Sequence, residues 1–229
     1  WACAVVLAFA SGCANGRKQM FGWADRAVAK WYVDRGDNQM EAGDTTKAQK
    51  QFESALGRDE TCSRAHARLG RLASDRKDFE GAAEHYRAAM KLDPDNLDYA
   101  MNLGEALGEL SATSMDRPKH LLAAARAFQH AREIEPRSFA AAFRLGQCYR
   151  CLGEDQAAIA VLEEAASLDP VSADVQLELA SIHEARGDHR AALAHYQKVL
   201  KLDPNDVNAH SRAAAVNMEL ARSGGARGL

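Results

Sequence analysis

Cys148 and Cys151 stand three apart in CYRC, the spacing at which two thiols can cycle through a disulfide or share a metal ion. No second CxxC exists to complete a four-ligand zinc site, and Cys62 stands alone. The eight histidines are scattered. No Gly-rich phosphate loop, HExxH, GxSxG or Asp-rich calcium loop occurs. These residues therefore predict no catalytic centre, no metal and no cofactor. The 29 Lys and Arg against 32 Asp and Glu give a charge of −3 with no basic block, so nucleic acid is not an expected partner. At 47% hydrophobic residues, the chain is composed to fold rather than to stay disordered.

The elements that position these side chains emerge from internal repetition. Four of the five prolines close similar stretches, KLDP at Pro94, EIEP at Pro136, SLDP at Pro170 and KLDP at Pro204, spaced 42, 34 and 34 residues apart. Ala48, Ala82, Ala124, Ala158 and Ala192 keep the same register. Four residues after each comes a bulky residue, Phe52, Tyr86, Phe128, Leu162 and Tyr196. A second small residue follows at Ala55, Ala89, Ala131 and Ala165, with Val199 in the last unit. Steps of four and three place these on one helical face. Upstream in each unit a second helix carries a small residue: Gly36, Gly70, Gly104, Gly146, Ala180 or Ala214. Small residues there let two helices approach closely. Gly43-Asp44, Gly153-Glu154 and Gly187-Asp188 supply a helix stop followed by a helix N-cap.

This pattern resembles the tetratricopeptide repeat, a helix-turn-helix unit of about 34 residues. The segments 31–56 and 142–170 carry it most fully. The resemblance implies an all-α fold: a right-handed superhelical solenoid of antiparallel helix pairs, five units and a C-terminal capping helix. The expected units are 29–62, 63–96, 97–138, 139–172 and 173–206, with a cap at 207–222 and a disordered tail at 223–229. The third unit contains eight extra residues within SATSMDRPKH, 111–120, which read as an enlarged loop between helices or, more sharply, a lateral docking loop. Asp116 and Pro118 mark the start of the helix that follows. On this frame Cys148 and Cys151 fall mid-way to late in a first helix, where packing explains them better than redox chemistry. His183 sits where sister units hold Leu107 and Tyr149, which makes it a core-edge residue.

In the family the first helices line a concave groove that holds a peptide or a partner helix. Mapped onto this chain, that implies a groove of Arg64, Arg68, Arg71, Met101, Asn102, Glu105, Phe143, Arg144, Gln147, Leu177 and Glu178. Lys30, Asp34, Asp37, Asp98, Arg150, Asp174, Glu184 and Arg212 join them, so the charge alternates from unit to unit. Either neighbouring helices pair these charges, or Arg68, Arg71, Asn102 and Arg144 converge on a carboxylate of a ligand. Family members that bind chaperone tails use a Lys-Asn-Asn-Lys-Arg clamp. Ala67, Arg71, Asn102, Ala140 and Arg144 stand at those places, so that ligand is not expected.

The first fourteen residues, WACAVVLAFASGCA, are apolar or small and too few to span a bilayer. Residues 1–12 read as the apolar core of a secretory signal. Ala10-Ser11-Gly12-Cys13 resembles a bacterial lipobox, which implies lipid on Cys13, a tether over 13–28 and a place on the periplasmic side, with the outer membrane favoured. The expected function is a non-enzymatic adaptor of an envelope complex, binding other proteins through its groove, with a homodimer through the cap as a further option. A soluble cytoplasmic scaffold, or an accessory subunit of a glycosyltransferase, protease or cell-wall hydrolase, are the alternatives.

Overall fold

A computed structural model describes residues 14–225, with side chains described over 23–223. Cys13 and the apolar run before it therefore lie outside the described residues. Every described element is an α-helix. The chain divides into two compact units, Trp1–Pro94 and Asp95–Leu229. The first holds α1 (Ala14–Glu41), α2 (Thr45–Arg58), α3 (Ser63–Asp75) and α4 (Phe79–Leu92). The second holds α5 (Leu97–Thr113), α6 (Arg117–Ile134), α7 (Phe139–Leu152) and α8 (Asp155–Leu168). It continues with α9 (Ala173–Ala185), α10 (His189–Leu202) and α11 (Val207–Gly225).

Local chemistry sets the helix ends. Asp44, Asp78, Asn96, Ser138, Ser172 and Asp188 each cap a helix by accepting a bond from a backbone N–H in its first turn. Gly43, Gly153 and Gly187 close the preceding helices at φ of 80°, 79° and 75°. Lys77 occupies the matching turn at φ 62°, a left-handed conformation that a side chain disfavours.

Within each pair, the small residue of the first helix receives the bulky residue of the second. A Cβ on Gly104 would lie 2.6 Å from the Phe128 ring, and one on Gly146 2.6 Å from Leu162. Phe52, Leu162 and Tyr196 are thereby sealed into the core beside Ala48, Ala158 and Ala192. In the first unit Ala29, Val33, Phe52, Ala65, Leu69 and Leu72 make one cluster. In the second, Leu162, Val175, Leu179 and Ile182 make another, and Tyr196, Val199, Ala209, Ala213 and Val216 a third that docks α11. Burial of such faces against the next helix is what stabilises repeats that cannot fold singly.

Three expectations need correction. The extra residues of 111–120 do not form a long loop: α5 runs on to Thr113 and α6 starts at Arg117, at 17 and 18 residues against 14 in most sister helices. The Ser111 and Thr113 hydroxyls bond back to the Gly108 and Leu110 carbonyls, so these polar residues continue the helix instead of leaving it. The tether expected over 13–28 is helical from Ala14 onward. The tail begins later than expected, because α11 continues to Gly225.

Candidate functional site

The second unit contains a cleft of about 660 Å³ built on α7, α9 and α11. Phe139 and Phe143 lie one helical turn apart on α7, so their rings stack with centroids 5.8 Å apart and planes within 7° of parallel. Leu177 of α9 faces the same cleft. All three are half-buried, leaving an apolar floor open to solvent.

Around that floor the charges are paired. Arg150 meets Glu178 at 2.6 Å, and the Gln147 amide donates to the same carboxylate at 2.9 Å. Arg144 donates to Gln147 at 3.3 Å and reaches Glu105 at 3.8 Å. Arg212 of α11 donates to Glu184 at 3.2 Å, and the Tyr196 hydroxyl donates to that carboxylate at 2.6 Å. Burial, followed by the Glu184 bond, raises the Tyr196 hydroxyl's pKa well above its usual value, so it remains a donor. Asp174 stands at the mouth of the cleft without an ion pair among the described residues.

The first unit repeats this scheme. Arg68 clasps Asp37 through two bonds of 2.6 and 3.2 Å, and Arg64 reaches Asp34 at 3.4 Å and Asp37 at 3.3 Å. Of the two charge patterns open in the sequence, pairing between neighbouring helices is the one seen. A carboxylate ligand would find Arg68 already engaged. Arg71 is exposed, without an ion pair among the described residues, and Met101 and Asn102 are half-buried on α5.

The cleft thus joins Phe143, Arg144, Gln147, Leu177 and Glu178 from the groove set, together with Arg150, Asp174 and Arg212. Glu105 reaches it through Arg144. Arg64, Arg68 and Arg71 belong to the other unit. Sequence reasoning missed Phe139, Ser181 and Asn208, which sit four before Phe143, three after Glu178 and four before Arg212. Helical spacing alone would have found them. Tyr196 reads as a core residue, and only its hydroxyl hints at a second role.

Two histidine contacts also went unread. His66 and His85 share a bond at 3.2 Å between their Nδ1 atoms, and His195 Nδ1 bonds the Gln176 side chain at 2.8 Å with His183 stacked against it. These are the same two repeat positions in the second and fifth repeats. Burial lowers the pKa of all three shifted rings, His66, His85 and His195, the last to about 4 with help from the nearby Lys198 and His183. His195 lines a separate cleft of about 420 Å³ with Glu163, Gln176 and Lys198.

Cys62, Cys148 and Cys151 are free thiols. Cys148 is buried and its pKa is pushed up to about 12 by burial and by Cys151 beside it, the opposite of a reactive thiol. Among the described residues no three metal-ligating side chains gather, and no helix is long and apolar enough to cross a membrane. The arrangement suits recognition, with an apolar floor and a rim of fixed donors and acceptors.

The tetratricopeptide repeat family model matches residues 33–96, 68–110, 120–173, 156–207 and 177–227. Among solved structures, the chain is similar to TTC0263, a thermophilic tetratricopeptide protein of Thermus thermophilus. That likeness is 25% identical with a TM-score of 0.55, over 83% of this chain and 99% of that one. YrrB, a tetratricopeptide protein with an unusual peptide-binding site, aligns at 20% identity and TM-score 0.70 over 79% and 89% of the two chains. MamA aligns at 23% and 0.69 over 79% and 94%. At such identities the last two show the fold alone. No curated protein matches the sequence significantly.

Proposed function

The chain belongs to the tetratricopeptide-repeat family, and on that premise we propose that it is a non-catalytic adaptor that holds a segment of a partner protein in the cleft of α7, α9 and α11. The observation that carries this reading is the stacked Phe139 and Phe143 pair beside Leu177, left half-open inside a ring of charges that are paired except at Asp174. Apolar side chains of a peptide or helix cover that floor, and the held side chains of Gln147, Arg150 and Glu178 offer it fixed hydrogen-bonding directions. The peptide-binding site of YrrB, a protein of the same fold, supports a peptide as ligand. Because the rim charges other than Asp174 already pair with one another, apolar contact supplies most of the affinity and the rim sets orientation.

The place of action is part of the same proposal. The apolar run ending in Ala10-Ser11-Gly12-Cys13 supports export and lipidation at Cys13, hence an adaptor of an envelope complex held on the periplasmic face of a membrane, the outer one favoured. A lipidated bacterial cysteine carries several acyl chains, enough for stable anchoring where one is marginal.

Phe143→Glu with Leu177→Glu tests the cleft. In crosslinked pull-downs from the native cell, partner recovery falls at least tenfold while helicity is unchanged; equal recovery refutes it. Palmitate labelling that survives Cys13→Ser refutes the lipid anchor and leaves the cleft untouched.

A further inference from the structure

The face of α1 that turns away from the core carries a row of apolar side chains over which no other helix packs among the described residues; Trp31 touches only its neighbours Tyr32, edge-on at 5.0 Å, and Arg35. Ala29, Val33 and Gly36 mark the face buried against α2, and Ala29 is the first described residue of α1 to be buried. At 3.6 residues per turn, Trp23, Ala27, Val28 and Trp31 fall on the opposite side. Trp23 is 72% exposed and Trp31 53% exposed. The two indoles lie two turns apart, roughly 12 Å along the axis, and can meet one flat surface together. Arg35 rests over the Trp31 ring at 5.2 Å.

We propose that this face lies on an anionic lipid surface, with Trp23 and Trp31 seated at headgroup depth. Tryptophan favours that zone, where its apolar body and its N–H are both satisfied. Charge agrees in sign: α1 carries Arg17, Lys18, Arg26, Lys30 and Arg35 against Asp25, Asp34, Asp37 and Glu41, a net +1, with the acids gathered toward its C-terminal end. The remaining residues hold 24 basic against 28 acidic side chains, a net −4, so the helix that bears the indoles is basic in an otherwise acidic chain. A second copy of the chain fits this face poorly. Repeat positions matching Arg35 are Leu69, Leu103, Leu145 and Leu179, all buried, and those matching Trp31 are Ala65, Tyr99, Ala141 and Val175, also buried. A helix stacked on α1 would bury the Arg35 guanidinium, whereas at a lipid surface that group reaches the headgroups. The inference goes beyond the adaptor reading and does not need lipid on Cys13, since it rests on α1 itself.

The test uses the full chain with Trp1→Phe, so that only Trp23 and Trp31 of the three tryptophans fluoresce. Vesicles of phosphatidylglycerol and phosphatidylethanolamine with brominated acyl chains should shift the emission to the blue and quench it. Phosphatidylcholine vesicles should do so more weakly, and added salt should reduce the effect. In co-sedimentation Trp23→Ser and Trp31→Ser should each weaken partition about tenfold, with helicity retained because both side chains are exposed. Sedimentation with unquenched emission would mean that residues 1–12 hold the chain without this face, and would overturn the proposal. Emission indifferent to vesicles would overturn it too. So would a blue shift without lipid that follows a concentration-dependent dimer in light scattering.

Discussion

Gly104 and Gly108 sit one turn apart on α5 and make a matched pair for testing how closely the helices of a repeat must approach. An alanine Cβ at position 104 would fall 2.6 Å from two atoms of the Phe128 ring, a side chain buried at 2% exposure. At position 108 a Cβ meets nothing within 4 Å. Both substitutions gain the same helical preference, about 1 kcal/mol over glycine. Overpacking a filled core costs about 1–3 kcal/mol, and only Gly104→Ala incurs it. The helical gain cancels in the difference, so Gly104→Ala should be about 1–3 kcal/mol less stable than Gly108→Ala. Gly108→Ala itself should exceed wild type by about 0.5–1 kcal/mol. Urea unfolding followed by circular dichroism at 222 nm measures both, with each midpoint compared at fixed slope. Equal stabilisation by the two alanines would refute the close approach of α5 to α6.

Other consequences can be measured on the same protein. Lys77→Gly should raise stability by about 0.5–1 kcal/mol by relieving the left-handed backbone at φ 62°, whereas the same change at the exposed helical Lys50 should lower it. Stability should fall as pH drops from 7 toward 4. His195 is neutral in the fold down to about pH 4, while the unfolded chain takes up the proton near 6.5. Because that ring is half exposed, solvent screening holds its share to about 1–2 kcal/mol. His66 and His85 act in the same direction, since protonating the acceptor of their shared bond breaks it. His195→Gln should flatten part of the slope in urea titrations run at pH 5 and 7, and an unchanged slope would count against its burial. With iodoacetamide at pH 8, Cys151 should be alkylated in the native chain and Cys148 only after denaturation, as mass spectrometry of the peptides would show.

Much of the fold is legible because the repeat writes each contact several times. The steps linking Gly104 to Phe128 and Gly146 to Leu162 are visible as spacing, and the structure fills them as ring against backbone. The stops at Gly43-Asp44 and Gly187-Asp188 were equally plain, whereas at Gly153-Glu154 the glycine ends its helix but the Glu154 side chain, expected to cap the next, accepts no first-turn N–H; Lys77 was hidden because its residue type gives no sign of a left-handed turn. The lengthened α5 and α6 went unread since serine and threonine signal loops until their hydroxyls find a carbonyl one turn back. The helical start of α1 was hidden for a similar reason: Asn15, Gly16 and neighbouring polar residues read as a tether. Of the site, alternation of charge was readable from the repeat frame, but whether Arg68 waits for a ligand or clasps Asp37 depends on side-chain direction. The histidine pair escaped notice because its members come from two different helices and meet only when the pair closes.

Reception of a partner protein by the cleft between α7, α9 and α11 is the point on which everything else about function turns. The most direct measurement places a photo-crosslinking phenylalanine at position 143 and, separately, at position 198 in the other cleft, in the native cell. A protein adduct should form from 143, be absent from 198, and be lost when Leu177→Glu is added. Adducts from 198 alone, or adducts from 143 indifferent to Leu177→Glu, would contradict a partner seated in this cleft.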